Sequence, residues 1–217
     1  MQSVRIKICG ITNIEDALVS EGAGADALGF VFYDKSPRRV TGEGARDIIK
    51  RLGPFVSRVA VFVDESIDRI KTVVDETGID CVQLHGVESP EFCSRLKDSL
   101  GVKVIKAVRV KDDSDVAGLK PYDVHAFLLD TYRQGVKGGT GEIFDWDIAL
   151  MAKGIARVIL AGGLRPENVA SAVQKVFPYG VDVSSGVEIS PGRKDRGRVA
   201  AFIKNARKAF ETDEKTA

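Results

Sequence analysis

Eight short apolar runs recur along the chain, and longer segments with helical spacing separate them. The runs cover residues 4–9, 27–32, 59–63, 81–85, 102–108, 126–130, 158–161 and 181–184. Most are continuously apolar rather than alternating, which is typical of strands buried on both faces of a parallel sheet. The pattern predicts an α/β protein built on eight parallel strands.

The intervening segments carry apolar residues three and four positions apart, which favours amphipathic helices. We predict helices over residues 44–52, 67–74, 90–100, 112–119, 146–152, 166–176 and 196–210, of which 112–119 is the weakest because it is short and polar. Thr12-x-x-Glu15 has the spacing of a capping box and predicts a further helix start there. Pro166 suits the first turn of its helix.

A strand followed by a helix, repeated eight times, predicts a closed (β/α)8 barrel, the TIM barrel. We expect one catalytic domain over residues 1–210 and a frayed polar tail over 211–217. The length of 217 residues is slightly below the typical ~250 for this fold, so insertions must be few. A doubly wound open sheet is the alternative, but its dinucleotide-binding form needs G-x-G-x-x-G after the first strand, and Gly10 stands alone there.

Composition excludes several classes of function. The net charge of +1 gives no basic stripe for nucleic acid, and no apolar run approaches the ~18 residues of a membrane span. Because the N-terminal residues contain no long apolar run, we expect no secretory signal there. Three cysteines and two histidines match no zinc spacing, so we expect no metal site, free thiols and a cytoplasmic protein.

Two candidate reactive groups stand at the ends of predicted strands. Cys9 ends the first strand and Asp130 ends the sixth, and the carboxyl ends of barrel strands carry the chemistry. Near a helix start, we expect a lowered thiol pKa that lets Cys9 act as a base. Partial desolvation would raise the pKa of Asp130 and let it donate a proton. The alternatives are a small buried side chain for Cys9 and a cap or loop ion pair for Asp130.

Glycine and serine follow the last two strands, where barrels often bind phosphate through backbone N–H groups. The candidates are Gly162, Gly163, Ser184, Ser185 and Gly186, and Gly139 in the glycine-rich loop after strand six is a further one. Tight turns, or a plain connector for the loop with Gly139, are the alternatives.

Other polar residues lie near strand ends. Arg38 could clamp a carboxylate or belong to a solvated loop. Gln83 and His85 end strand four, Asp182 lies in strand eight and Lys106 in strand five. Each could line the barrel mouth or be structural, and we assign Gln83, His85 and Asp182 to substrate binding.

Seven motifs, in order from about residue 4 to residue 204, together resemble the phosphoribosylanthranilate isomerase family of tryptophan biosynthesis. They are KICGIT at 7–12, GFVFY with KSPR at 29–38, VQLHG at 82–86, LLDT at 128–131, GGTG with FDW at 138–146, AGGL with PENV at 161–169 and DVSSGVE at 182–188. Asp34 departs from the family, which usually has proline there, and this changes the stiffness of the loop that carries Arg38.

The resemblance implies an isomerase without metal or cofactor, acting on a small phosphoribosyl substrate as a monomer or homodimer. The reaction would be the Amadori rearrangement of N-(5'-phosphoribosyl)anthranilate to 1-(o-carboxyphenylamino)-1-deoxyribulose 5-phosphate. By resemblance, Asp130 protonates the ring oxygen, the Cys9 thiolate takes the proton from C2', and Arg38 binds the anthranilate carboxylate. Backbone groups around Gly139, Gly162, Gly163, Ser184 and Ser185 would hold the phosphate.

Two alternatives remain open from the sequence. One is another phosphosugar barrel enzyme: a metal-dependent epimerase would need more histidines, and an indole-glycerol-phosphate synthase would need catalytic lysines paired with glutamate. Lys7 and Lys106 are present, but we find no matching glutamate at a strand end before strand eight. The other is a non-catalytic phospholigand-binding barrel, which would have lost Cys9 or Asp130.

Overall fold

The computed structural model describes residues 3–110, 112–130 and 146–213. Eight parallel strands close into a barrel in chain order, and β8 pairs with β1. The strands are β1 Arg5–Cys9, β2 Ala27–Val31, β3 Ser57–Phe62, β4 Cys81–Leu84, β5 Lys103–Val108, β6 Ala126–Asp130, β7 Val158–Ala161 and β8 Gly180–Val183. The predicted barrel is therefore confirmed, the open sheet is wrong, and the strand ends differ from prediction by up to two residues.

A helix follows each strand on the outside of the barrel. The helices are α1 Ile14–Gly22, α2 Gly42–Ile49, α3 Ile67–Thr77, α4 Pro90–Leu100, α5 Asp113–Ala117, α6 Trp146–Lys153, α7 Val169–Val176 and α8 Arg196–Asp213. Hydroxyl side chains of Thr41, Ser66 and Ser89 accept a backbone N–H bond at the starts of α2, α3 and α4. None of the helices in the described ranges combines the length and apolarity needed to cross a bilayer.

The predicted capping box at the start of α1 is wrong. Asn13 caps this helix instead, since its Oδ1 accepts the Asp16 N–H at 2.9 Å. The Thr12 hydroxyl, which the capping-box pattern predicted as the cap, instead donates to the Gly192 carbonyl at 2.6 Å. A tertiary contact therefore replaces the predicted local one.

Other helix boundaries also differ from the predicted ones: α2 is Gly42–Ile49 rather than 44–52, and α3 extends to Thr77 rather than ending at 74. α7 begins at Val169 rather than at 166, because the Asn168 side chain accepts the Arg165 N–H at 2.8 Å and turns the chain there. α5 is only five residues long. α8 runs to Asp213, so the expected boundary between barrel and tail at 210 falls inside a helix.

A short antiparallel hairpin follows the barrel and has no counterpart in our sequence prediction. A 3₁₀ turn at Ser185–Val187 leads into β9 Glu188–Ser190, which pairs with β10 Arg193–Lys194. Strands of three and two residues are too short to produce a recognisable alternation. The hairpin lies against the carboxyl end of β1, where Lys194 Nζ donates to the Cys9 carbonyl at 2.5 Å.

Strand alternation separates the barrel interior from the layer under the helices, since successive side chains point to opposite faces. The interior holds a small apolar cluster of Val59, Cys81, Ile105, Ala107, Ala126, Leu128, Ile159 and Ala161. Residues two positions apart in a strand share a face, as do residues paired across neighbouring strands. By this rule the side chains nearer the carboxyl end that also point inward are Cys9, Gln83, Asp130 and Asp182. Lys106 has the opposite parity.

Candidate active site

Strand β1 places the Cys9 thiol inside the carboxyl end of the barrel. Cys9 is paired with Gly29 of β2 and is 8% exposed. A Cβ atom added to Gly29 would lie 2.8 Å from the Cys9 sulfur, closer than carbon and sulfur can approach. The thiol therefore occupies space that is free because residue 29 is glycine.

Two buried charges lie beside the thiol. Lys7 Nζ donates to Asp182 Oδ1 at 2.8 Å, and the two side chains are 5% and 10% exposed. Burial lowers the pKa of Lys7, but Asp182 and Cys9 outweigh this effect and hold the pKa above its usual value. Lys7 is therefore a charged ammonium group at neutral pH.

Burial is also the largest influence on the Cys9 thiol, and it raises the pKa. Lys7 and Lys194 oppose this rise, whereas Asp182 adds to it. The lowered thiol pKa that we expected from the sequence is therefore wrong, because burial of the sulfur outweighs the neighbouring ammonium groups. Deprotonation of Cys9 depends on those ammonium groups.

Asp130 ends β6 and faces polar side chains in and directly after β4. Its Oδ2 lies 3.4 Å from His85 Nε2, and the Asp130 side chain is 17% exposed. Gln83 Nε2 lies 3.0 Å from His85 Nδ1. In the neutral tautomer whose Nδ1 accepts from this amide, the imidazole proton is on Nε2 and faces the Asp130 carboxylate. The structure thus brings together three of the predicted site residues.

Arg38 forms a two-point ion pair with a residue that the sequence analysis did not select. Its Nε and Nη2 donate to the two carboxylate oxygens of Glu188 at 2.8 and 2.5 Å. A Cβ added to Gly10 would lie 2.6 Å from Arg38 Cδ, so the arginine lies across the end of β1. Glu188 is the last residue of the DVSSGVE motif. Its carboxylate directly follows the apolar Val187, and this was the sequence signal that could have identified it as a site residue. Asp34 pairs with exposed Arg39 at 2.9 Å within the same loop.

The predicted phosphate-binding residues of the described region form one surface between the ends of β7 and β8. Gly162 and Gly163 have positive φ angles of 77° and 69° after β7. Gly186 lies in the 3₁₀ turn after β8, and an added Cβ would collide with the Leu164 carbonyl, so the two loops pack directly together. Ser184 Oγ is buried there without a hydrogen-bond partner among the described residues, while Ser185 is exposed. Gly139 lies outside the described residues.

Lys106 lies outside the barrel interior and is structural. Its ammonium group donates to the Gly86 and Ala107 carbonyls at 2.8 and 2.9 Å and pairs with Glu88 at 3.0 Å. The pairing of Lys106 with Glu88 was not predicted from the sequence, because Glu88 lies in the connection between β4 and α4 rather than at a strand end. Because Lys106 points toward the helices, this buried pair holds the β4–α4 connection and leaves the barrel mouth to other residues.

The remaining cysteines are packing residues. Burial raises the pKa of Cys81 to about 12 and that of Cys93 to about 11, which keeps both as neutral thiols. All three cysteines are free. Among residues 3–110, 112–130 and 146–213, no group of three or more His, Cys, Asp or Glu side chains is placed to hold a metal ion.

A closed parallel barrel with a thiol, a carboxylate and glycine-containing loops at its carboxyl end belongs to the class of (β/α)8-barrel enzymes. Residues 6–205 match the sequence model of the N-(5'-phosphoribosyl)anthranilate (PRA) isomerase family. The chain belongs to this family.

Individual relatives agree with this assignment over nearly the whole chain. The N-(5'-phosphoribosyl)anthranilate isomerase of Geobacter sp. (strain M21) is 54% identical over 204 residues, which cover 94% of this chain and 98% of the relative. A crystal structure of a phosphoribosyl anthranilate isomerase with reduced 1-(o-carboxyphenylamino)-1-deoxyribulose 5-phosphate has a TM-score of 0.84 and 45% identity, covering 94% of this chain and 99% of that one. Monomeric forms of the dimeric Thermotoga maritima enzyme give the same values.

Proposed function

We propose that this protein catalyses the Amadori rearrangement of N-(5'-phosphoribosyl)anthranilate to 1-(o-carboxyphenylamino)-1-deoxyribulose 5-phosphate in tryptophan biosynthesis. The observation that carries the proposal is the position of Cys9 and Asp130. Both side chains point into the carboxyl end of one barrel, with β7 and β8 between their strands. An aldose-to-ketose conversion needs one acid and one base around the same sugar, and these residues supply them.

Asp130 is the general acid in this proposal. It transfers its proton to the furanose ring oxygen, the C1'–O bond breaks, and the sugar opens to a Schiff base with the anthranilate nitrogen. His85 contacts the Asp130 carboxylate, and Gln83 in turn orients the imidazole. Gln83 and His85 therefore support the acid and line the substrate site.

Cys9 is the base. Its thiolate removes the proton from C2' of the Schiff base, which gives an enolamine, and reprotonation at C1' with loss of the hydroxyl proton yields the ketone. Lys7 supports the thiolate form because it opposes the effect of burial on the Cys9 pKa. Asp182 holds Lys7 in place.

The substrate carries two anionic groups, the anthranilate carboxylate and the 5'-phosphate. The carboxyl end of the barrel offers hydrogen-bond donors for each of them. Arg38 uses two of its five N–H donors on Glu188 and so retains three for the anthranilate carboxylate. The loops with Gly162, Gly163 and Ser184–Gly186, together with Gly139, bind the 5'-phosphate through backbone N–H groups and hydroxyls.

The direct test is a fluorescence assay that follows the loss of freshly generated phosphoribosylanthranilate. We expect first-order consumption with saturation kinetics, and formation of the ribulose product by mass spectrometry. A folded protein that binds the reduced product analogue without turnover would instead identify a non-catalytic phospholigand-binding barrel. A folded protein that neither binds the analogue nor consumes the substrate would point to a different phosphosugar reaction.

We also infer that the protein forms a homodimer. The dimeric state of the Thermotoga maritima relative supports this inference. Light scattering on the eluted protein measures the mass, and a single monomer peak at micromolar concentration would contradict the inference.

A cytoplasmic location follows from the same proposal. The three thiols are buried and free, which suits a reducing compartment.

A further inference from the structure

Glu188 occupies a position that the reaction itself leaves unexplained. It is the first residue of the hairpin after β8, and its side chain is only 4% exposed. Its Oε1 accepts hydrogen bonds from Arg38 Nε at 2.8 Å and Lys194 Nζ at 2.8 Å, and its Oε2 accepts from Arg38 Nη2 at 2.5 Å. One buried carboxylate thus lies between two cations.

Lys194 anchors this carboxylate to the barrel. Its side chain is 0% exposed, and its ammonium group donates to Glu188, to the Cys9 carbonyl at 2.5 Å and to the Ser184 carbonyl at 3.3 Å. An ammonium group has three donors, and all three are used here. The Glu188 side chain is consequently fixed relative to the ends of both β1 and β8.

The charges of the cluster depend on one another. Burial lowers the pKa of Lys194, and the hydrogen bond that Lys194 donates to Glu188 opposes that effect. Burial would raise the pKa of Glu188, but Arg38 and Lys194 hold it below its usual value. The carboxylate is therefore ionised at neutral pH and can hold the Arg38 guanidinium through charge-assisted bonds.

We propose that Glu188 is a positioning residue that sets the enzyme's preference for a substrate with an aromatic carboxylate, acting through Arg38. Glu188 accepts from the Nε–Nη2 edge of the guanidinium, and this fixes the orientation of the remaining Nη1 edge. A long flexible arginine that is fixed in advance loses less entropy when it binds the substrate carboxylate. This inference rests on the proposed function and adds a residue outside the acid, the base and the phosphate loops.

The test compares two ligands in wild type and Glu188→Gln. The ligands are the reduced product analogue and the same analogue without its aromatic carboxylate, both measured by calorimetry. We expect Glu188→Gln to weaken the carboxylate-bearing analogue by about tenfold, which corresponds to roughly 1.4 kcal/mol, and to leave the decarboxylated analogue unchanged. Equal weakening of both analogues, or of neither, would overturn the proposal.

A double-mutant cycle separates action through Arg38 from general damage to the site. In an Arg38→Met background, Glu188→Gln should change KM by less than about twofold, because the group it positions is gone. Additive effects on KM would contradict the proposal. If Glu188→Gln fails to fold, Glu188→Asp retains the charge and shortens the reach, and we expect it to lose the same discrimination between analogues.

Asp80→Asn is the matched control. Asp80 pairs with Arg58 at 2.8 Å at the amino-terminal end of the barrel, so this change also removes one charge from an ion pair. We expect a lower melting temperature with unaltered discrimination between the two analogues. A wild-type protein without isomerase activity would refute the proposed function, whereas an active wild type with an indifferent Glu188→Gln variant would refute only the role of Glu188.

Discussion

The Lys7 ammonium group and the Asp182 carboxylate meet at 2.8 Å inside the barrel, two residues below the Cys9 thiol on the same face of β1. Lys7 lowers the pKa of Cys9 and Asp182 raises it, against a larger rise caused by burial. This pair therefore adjusts how much thiolate is present.

Lys7→Met should move the pH profile of kcat/KM to higher pH. The base is active as the thiolate, so a raised thiol pKa makes the rate increase as pH rises toward that pKa. Removing Lys7 deletes the opposing cation and leaves Asp182 unneutralised, and both changes raise the Cys9 pKa further. Because a close opposite charge typically shifts a pKa by about one to three units, we expect a displacement of about one unit or more.

The ultraviolet absorbance of the thiolate, taken as the difference from Cys9→Ala, measures this titration directly. Lys97→Met is the control, since Lys97 pairs with the largely exposed Asp123. An unmoved profile in Lys7→Met would exclude Lys7 as the partner of the thiolate.

Cys9→Ala should lower kcat by about 10²–10⁴-fold, the usual contribution of a general base. Binding of the reduced product analogue should persist, because the phosphate loops and Arg38 are untouched. Cys93→Ala removes a fully buried sulfur outside the barrel interior and should cost about 1 kcal/mol of stability with unchanged kcat. Steady-state kinetics and thermal melting test both variants, and wild-type turnover in Cys9→Ala would eliminate the base assignment.

Asp130→Asn should reduce kcat by a similar factor while KM changes little, because the amide has the same shape but cannot donate an acidic proton. Single-turnover measurements with saturating substrate separate chemistry from binding. Asp123→Asn makes the same substitution at a largely exposed site and should leave both kcat and KM unchanged. A change confined to KM would identify Asp130 as a binding group.

Gly29→Ala should impair catalysis through crowding. The new methyl group would lie 2.8 Å from the Cys9 sulfur and force it to move, with a loss of stability of about 1–3 kcal/mol. Gly22→Ala in α1 meets open space and should be neutral or slightly stabilising. Reaction of Cys9 with a thiol reagent reports its altered exposure, and a fully active Gly29→Ala variant would mean that the thiol has freedom to shift.

Glu88→Ala should destabilise the fold by about 3–5 kcal/mol, because it leaves the Lys106 ammonium buried without its partner. The variant also loses the bonds that Glu88 accepts from the Asp64 and Gly86 N–H groups. Denaturant unfolding measures the change. Glu88→Ala combined with Lys106→Met should recover part of the loss, and an unrecovered double variant would show that the backbone contacts dominate.

Much of the site could be predicted from the amino-acid sequence alone. Cys9 and Asp130 could be placed because each ends an apolar run, and alternation in the strands then directs both side chains inward. Asn13 as the helix cap and the hairpin at 188–194 were not predicted, because a tertiary contact redirects Thr12 and the hairpin strands are too short to show a period.

The order of apolar runs and helical segments by itself determined the barrel, since each run must be buried on both faces and each helix must cover it. Tertiary structure decided the electrostatics of the mouth. Lys7 and Asp182 are 175 residues apart in the chain, and Arg38 and Glu188 are 150 apart. Only closure of the barrel brings such pairs within hydrogen-bond distance, and burial of Cys9, which depends on every neighbouring strand, then reversed the direction of its pKa shift.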